Sequence, residues 1–229
     1  MLRLLAVTSL ALALSAAPAA AASLEALNPC YVSTGPASAD LEDVTVHGVS
    51  FAPDSTVEVL IDGELVGSAP TDPAGDFTLL VDAPHQSKGE RAFTLEARDS
   101  VNLVVTQSRV SNLAVSVRPK RSAPSRRVRF RGRGFMKDRP VFAHYLYGRK
   151  VQKTVRLARR STGPCGTFNV RRRQIPVENA RTGHWIVQFD QKRAYSPEPD
   201  PVWVRLPIDV VEVFQTSLRR PRAPRPARG

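Results

Sequence analysis

The sequence predicts an all-β chain that contains two tandem copies of one β-sandwich unit. Three observations lead to this prediction. Hydrophobic and polar residues alternate over short segments, as in half-buried strands. One ordered set of residues occurs twice, and no segment after the N-terminal apolar run has helical periodicity. With 42% hydrophobic and 24% charged residues in 229, the composition excludes a chain that is disordered as a whole.

The first 22 residues have the pattern of a secretory signal peptide. Arg3 precedes an apolar run from Leu4 to Ala17, and small residues, Ala20 and Ala22, stand just before a cleavage point at Ser23. A retained membrane anchor is the alternative, because the 19 residues from Leu4 to Ala22 could just span a bilayer. We expect cleavage, no membrane span afterwards, and a secreted protein at the extracellular or cell-envelope surface.

The expected export makes a disulfide between the two cysteines, Cys30 and Cys165, chemically feasible, because disulfides persist in an oxidising compartment. Their spacing leaves three states open: one bridge within the chain, two buried thiols, or a bridge to another chain. A bridge within the chain would link the two units.

The repeat begins where Val44–Phe51 matches Val128–Phe135 at an offset of 84 residues. The offset rises to 91 where Gly75–Phe77 matches Gly166–Phe168, as loop insertions require. The preserved order predicts a duplicated unit. We therefore expect a signal peptide at 1–22, an acidic sandwich at 23–118, a basic sandwich at 119–214 and an Arg/Pro-rich tail at 215–229.

Each unit contains short alternating segments that are separated by turn residues. In the first unit, Val57–Ile61 and Leu65–Ser68 flank Asp62-Gly63, a dipeptide typical of a hairpin turn. The second unit repeats the alternation, for example in Val141–Tyr145 and Trp185–Phe189. About seven strands in about 100 residues is the size of an immunoglobulin-like sandwich.

A resemblance supports this fold. Residues Gly48–Val59, with Asp62-Gly63 and Asp72–Phe77, resemble the bacterial immunoglobulin-like repeats of exported and surface proteins. The resemblance covers residues 40–99 well and residues 128–190 more loosely, since Met136-Lys137 replaces Ala52-Pro53. It implies a scaffold that serves as a spacer, an adhesive module, or a binder of carbohydrate or protein.

The charge is distributed unequally between the units. Residues 23–118 hold 14 acidic and 5 basic residues, whereas residues 119–229 hold 7 acidic and 27 basic ones. In Arg127–Arg133 the odd-numbered arginines share one strand face, and Val128 and Phe130 face the other way. The strand expected beside it carries three more arginines. The candidate anion-binding residues are Arg129, Arg131, Arg133, Arg171, Arg172 and Arg173.

Three interpretations of these arginines remain open. They are solvated surface residues, they bind an anionic polymer or protein partner of the envelope or matrix, or they dock on the acidic unit of the same or another chain. The main prediction is a non-enzymatic interaction module that binds a polyanion through the basic unit. The alternative is a structural spacer that self-associates through its charge asymmetry. The tail at 215–229 has five arginines and no acid, and predicts a disordered tether or a solubilising end.

No motif for catalysis, a cofactor or a metal is found in the sequence. Gly48–Ala52 lacks the closing glycine of a nucleophile elbow, and the four histidines are scattered. The acidic residues at 40–43 lack the spacing of a calcium loop. Sequence-specific nucleic acid recognition is not predicted either, because no helix-turn-helix, zinc finger or RNA-binding aromatic signature is present. We expect no enzyme, no cofactor and no metal site.

Overall fold

The computed structural model describes residues 21–198 and 202–211. The tail predicted at 215–229 and all but the last two residues of the predicted signal peptide lie outside the described residues. Sixteen strands and one 3₁₀ helix, Ser38–Asp40, form the described part. The strands of the first group are β1 (Ser23–Leu24), β2 (Tyr31–Ser33), β3 (Asp43–Val49), β4 (Thr56–Ile61), β5 (Glu64–Pro70), β6 (Phe77–Asp82), β7 (Glu90–Arg98) and β8 (Leu103–Asn112). Those of the second group are β9 (Ala114–Arg118), β10 (Arg121–Ser122), β11 (Arg127–Arg133), β12 (Val141–Tyr147), β13 (Lys150–Ala158), β14 (Phe168–Arg173), β15 (Gly183–Asp190) and β16 (Trp203–Val210).

Each group of strands forms a three-stranded and a five-stranded sheet. The sheet orders are β1-β3-β6 with β2-β8-β7-β4-β5, and β9-β11-β14 with β10-β16-β15-β12-β13. The second pair of sheets repeats the first strand for strand, including a short parallel strand beside the last one. In immunoglobulin lettering, β3 and β6 are strands B and E, and β4, β7 and β8 are C, F and G. The predicted all-β, immunoglobulin-like sandwich architecture is confirmed.

Two hydrophobic clusters lie between the sheets, one in each unit. Tyr31, Phe51 and Phe93 belong to the first cluster, and each is no more than 3% exposed. Phe130 and Trp185 belong to the second cluster and are 0% and 2% exposed. Burial of an aromatic side chain stabilises a fold by about 1.5–3 kcal/mol, so each unit has its own source of stability.

Paired glycines explain why the repeat is visible in the sequence. A Cβ atom at Gly75 would overlap the carbonyl of Phe51, and one at Gly166 would overlap that of Phe135. Both glycines also have positive φ angles, +82° and +52°, where a side chain is disfavoured. The same turn geometry therefore requires glycine at both positions.

The two units are joined by one residue of linker and one disulfide. Only Leu113 separates β8 from β9. The sulfur atoms of Cys30 and Cys165 are 2.02 Å apart and their Cα atoms are 5.1 Å apart. This confirms the bridge within the chain and excludes both alternatives, two buried thiols and a bridge to another chain. Arg133 Nε adds a hydrogen bond of 2.7 Å to Asn112 Oδ1 across the junction.

Strand β9 pairs with β11 of the second unit, with Arg118 opposite Arg129. The sequence division after Arg118 assigned this strand to the first unit, because the repeat is too weak there to show the pairing. We propose that the division lies at Leu113. Within the described residues, no helix is long and apolar enough to cross a membrane.

Candidate anion-binding face

The middle strand of the three-stranded sheet of the second unit, β11, organises the predicted arginines. Arg129 lies directly opposite Arg118 on β9 and Arg171 on β14. Arg127 lies opposite Arg173 at the end of the same sheet. Directly opposed residues share a sheet face, with Cβ atoms about 4.5–5.5 Å apart. Seven residues therefore form one surface, which we call the arginine face: Arg118, Arg127, Arg129, Arg131, Arg133, Arg171 and Arg173.

The alternation of β11 was predicted correctly. Val128 and Phe130 are 1% and 0% exposed and pack in the core, whereas the arginines between them point outward. Arg127 and Arg131 are exposed, and Arg129, between two other arginines, is half-buried. The core therefore fixes which way these side chains point.

Arg172 is separated from the other five predicted contact residues. It pairs with Val128, which places it on the opposite side of the sheet. Its Nη1 donates to the carbonyl of Arg171 at 3.0 Å. Burial raises the pKa of the Tyr145 hydroxyl far above its usual range, and the charge of Arg172 opposes this effect. Arg172 therefore takes no part in the arginine face.

Sequence reasoning missed Arg118 as a member of the face. A turn and the short strand β10 separate it from β11 in the chain, and the register of β9 decides its neighbours. The basic run from Arg118 to Arg121 was the available signal, but it could not show which residue would face β11.

The arginine face groups seven positive charges on one side of the three-stranded sheet. Arg118–Arg129, Arg129–Arg171 and Arg127–Arg173 are directly opposed pairs of like charge, which destabilise a sheet. Among residues 21–198 and 202–211, none of the seven arginines forms an ion pair with a carboxylate. The arginines that do form ion pairs lie in the first unit: Arg91 with Asp62 at 2.6 Å, Arg98 with Glu58 at 2.8 Å, and Arg109 with Glu90 at 3.1 Å.

Two adjoining depressions lie on the arginine face. One, of about 330 Å³, is lined by Arg118, Pro119, Arg129, Arg131 and Arg171. The other, of about 440 Å³, lies nearer the junction and includes Ser116, Arg131, Arg133, Thr162, Thr167 and Asn169. Arg131 lines both, so the two depressions adjoin at its side chain, and we call the pair of them the track.

A buried polar network occupies the other sheet of the second unit. The side chains of His144 and Asp190 are 0% and 1% exposed, and His144 Nε2 lies 3.2 Å from Asp190 Oδ1. His144 Nδ1 lies 2.8 Å from Thr154 Oγ1. Gln188 Nε2 donates to Asp190 Oδ2 at 2.9 Å and to the carbonyl of Ser196 at 2.7 Å. The network fastens the loop after β15 to the sheet, and its burial keeps it away from any substrate.

A cleft of about 420 Å³ lies beside the disulfide at the junction. Asp40, Glu42 and Lys137 line it together with apolar side chains such as Met136. Partial loss of water raises the pKa of Glu42, although the Val32 N–H, 2.7 Å away, acts in the opposite direction. Within the described chain, no cluster of His, Cys, Asp and Glu could hold a metal ion.

No protein-family model matches the sequence, and no curated protein matches it. The chain is similar to titin Ig tandem domains at 14% identity, over 83% of this chain and 95% of that one, with a TM-score of 0.29. It is similar to the human OSCAR ligand-binding domain at 10% identity, over 83% of this chain and 97% of that one, with a TM-score of 0.33. It is also similar to fibronectin(III)-like modules of Clostridium thermocellum CbhA at 12% identity, over 82% of this chain and 93% of that one, with a TM-score of 0.27.

Proposed function

We propose that this chain is an exported, non-enzymatic interaction module whose second unit binds an anionic polymer through the arginine face. The proposal depends on one observation: three pairs of arginines lie directly opposite each other on the arginine face. Within the described residues, none of these arginines forms an ion pair with a carboxylate. The like charges of each pair repel each other, and a bound anion would reduce this repulsion. Guanidinium groups suit this role, because each can donate two parallel hydrogen bonds to a phosphate, sulfate or carboxylate group.

Two features support export. The N-terminal sequence has the order of charged, apolar and small residues of a signal peptide. The Cys30–Cys165 disulfide is typical of proteins in an oxidising compartment. An anionic polymer of the cell envelope or extracellular matrix is therefore the proposed partner.

The test is the retention of residues 23–229 on heparin or phosphocellulose during elution with salt. An Arg118/Arg129/Arg171→Ser variant removes the central row of the arginine face, and we expect it to elute at much lower salt. The matched control, Arg91/Arg98/Arg109→Ser, makes the same change of net charge in the first unit. We expect its retention to stay close to that of the unchanged protein. Equal losses in both variants would show that only total charge matters and would overturn the proposal.

Self-association through the charge asymmetry is a second candidate. It is favoured by the net charges of −9 in residues 23–118 and +20 in residues 119–229. A head-to-tail contact would place acidic residues of one chain on the arginine face of the next. Sedimentation velocity tests it, since such a complex would dissociate as salt screens the charges. A monomer at every ionic strength would exclude this candidate.

A further inference from the structure

The track on the arginine face changes its chemistry along β11. At one end, Arg127 and Arg129 are flanked by other arginines. Nearer the junction with the first unit, Arg131 lies between Ser116 and Asn169. A ligand along the track would therefore meet only cations at one end, and a cation between a hydroxyl and an amide at the other.

The acceptor oxygens of Ser116 and Asn169 offer hydrogen bonds that a purely anionic ligand could not use. Both residues are exposed, and within the described chain neither side chain has a hydrogen-bond partner. A serine hydroxyl and an asparagine amide each accept as well as donate hydrogen bonds. The oxygens of a fully ionised phosphate chain accept only. The two acceptors therefore match a ligand that carries both anionic groups and hydroxyl donors.

The surface of the track does not suit nucleic acid bases. Sequence-tolerant binding of single strands uses aromatic side chains on which the bases stack. The outward positions of β9, β11 and β14 are the seven arginines with Ala114, Ser116 and Asn169, and none of them is aromatic. From Arg127 to Arg133 the track is about 20 Å long, at about 3.3 Å per residue.

We infer that the ligand of the arginine face is an acidic polysaccharide that lies along β11, with its charged groups on the arginines and its hydroxyl groups on Ser116 and Asn169. This inference rests on the proposed function and names the substrate class for the same site.

The experiment compares two anionic probes of similar charge, a sulfated heparin-derived oligosaccharide and linear inorganic polyphosphate. A Ser116→Ala/Asn169→Ala variant should bind the oligosaccharide about tenfold more weakly, because two hydrogen bonds are lost. It should lose clearly less affinity for polyphosphate, about threefold at most, because that ligand can use only the donor hydrogens of the two side chains and not their acceptor oxygens. Arg129→Gln should weaken both probes. The matched control is Thr106→Ala/Gln107→Ala on β8 of the first unit, which should change neither affinity.

The outcomes separate the two claims. The inference is overturned if the Ser116/Asn169 variant binds both probes as tightly as before, or loses both equally, while Arg129→Gln still weakens them. The proposed function itself fails if Arg129→Gln changes neither affinity. Fluorescence of Trp185 and Trp203, which both lie in the second unit, shows whether the Ser116/Asn169 and Arg129 variants are folded. Circular dichroism shows it for the control on β8 of the first unit.

Discussion

Replacement of Arg129 by Gln should stabilise the second unit, although it weakens the proposed binding. Arg129 lies directly between Arg118 and Arg171. At a charge separation of about 6 Å in water, each pair repels by about 0.7 kcal/mol before screening. With screening, the two pairs together contribute about 1 kcal/mol at 10 mM salt, about 0.6 kcal/mol at 0.15 M and about 0.2 kcal/mol at 1 M.

The assay is urea unfolding at these three salt concentrations, followed by tryptophan fluorescence. Trp185 is 2% exposed in the core of the second unit, so its emission follows the unfolding of this unit. We expect the free energy of unfolding of Arg129→Gln to exceed that of the unchanged protein by the amounts above. The advantage should decrease steadily with added salt.

An arginine in an ion pair provides the opposite control. Arg98 lies 2.8 Å from Glu58 in the first unit, and Arg98→Gln should lower the stability of this unit slightly, by less than about 1 kcal/mol. Circular dichroism would follow it, since the first unit contains no tryptophan. Lower stability of Arg129→Gln at every salt concentration, or a gain that salt leaves unchanged, would refute the reasoning about the arginine face.

Three further predictions concern the scaffold. Partial loss of water raises the pKa of Asp99, but four N–H donors outweigh it and lower the pKa from 3.8 to about 2. The ionised form of Asp99 therefore stabilises the fold above pH 4. The loss of unfolding free energy caused by Asp99→Ala should become smaller as the pH falls from 4 to 2. A loss that stays constant over this range in urea unfolding would contradict this prediction. Cys30→Ser/Cys165→Ser should leave both units folded but broaden their range of orientations in small-angle X-ray scattering, whereas an unchanged profile would show that the one-residue linker alone fixes them. Gly166→Ala should cost more than about 2 kcal/mol, because its Cβ would overlap a backbone carbonyl. The control Gly148→Ala, also at positive φ but with open space around its Cβ, should cost about 1–2 kcal/mol, and equal losses would exclude overlap as the cause.

The sequence was sufficient for features that repeat every two residues or that recur between the units. Val128 and Phe130 alternate with arginines, and this local pattern fixes which side of β11 enters the core. The repeated glycines marked the duplicated turns, because the same close backbone approach occurs in both units.

The features that could not be predicted depend on register and long-range pairing. A shift of one residue decides whether an arginine joins the arginine face or the opposite side, and it places Arg172 on the opposite side. The His144–Asp190 pair spans 46 residues. His144 alternates with aromatic residues in a predicted strand, and Asp190 stands beside a Pro-rich segment that is predicted to be a loop, so neither residue indicated the other. The tertiary packing that brings them together leaves no local signal.

The bridge between Cys30 and Cys165 has a mechanical consequence. It encloses a loop with a sequence separation of 135 residues, which includes every strand from β2 to β13. If tension is applied between residue 21 and residue 211, the load passes through the sulfur atoms and bypasses this loop. About 450 Å of contour length is then withheld from stretching. Only the segment before Cys30, which contains β1, and the strands β14–β16 after Cys165 can be pulled out, so β2–β8 of the acidic unit stay shielded from the load.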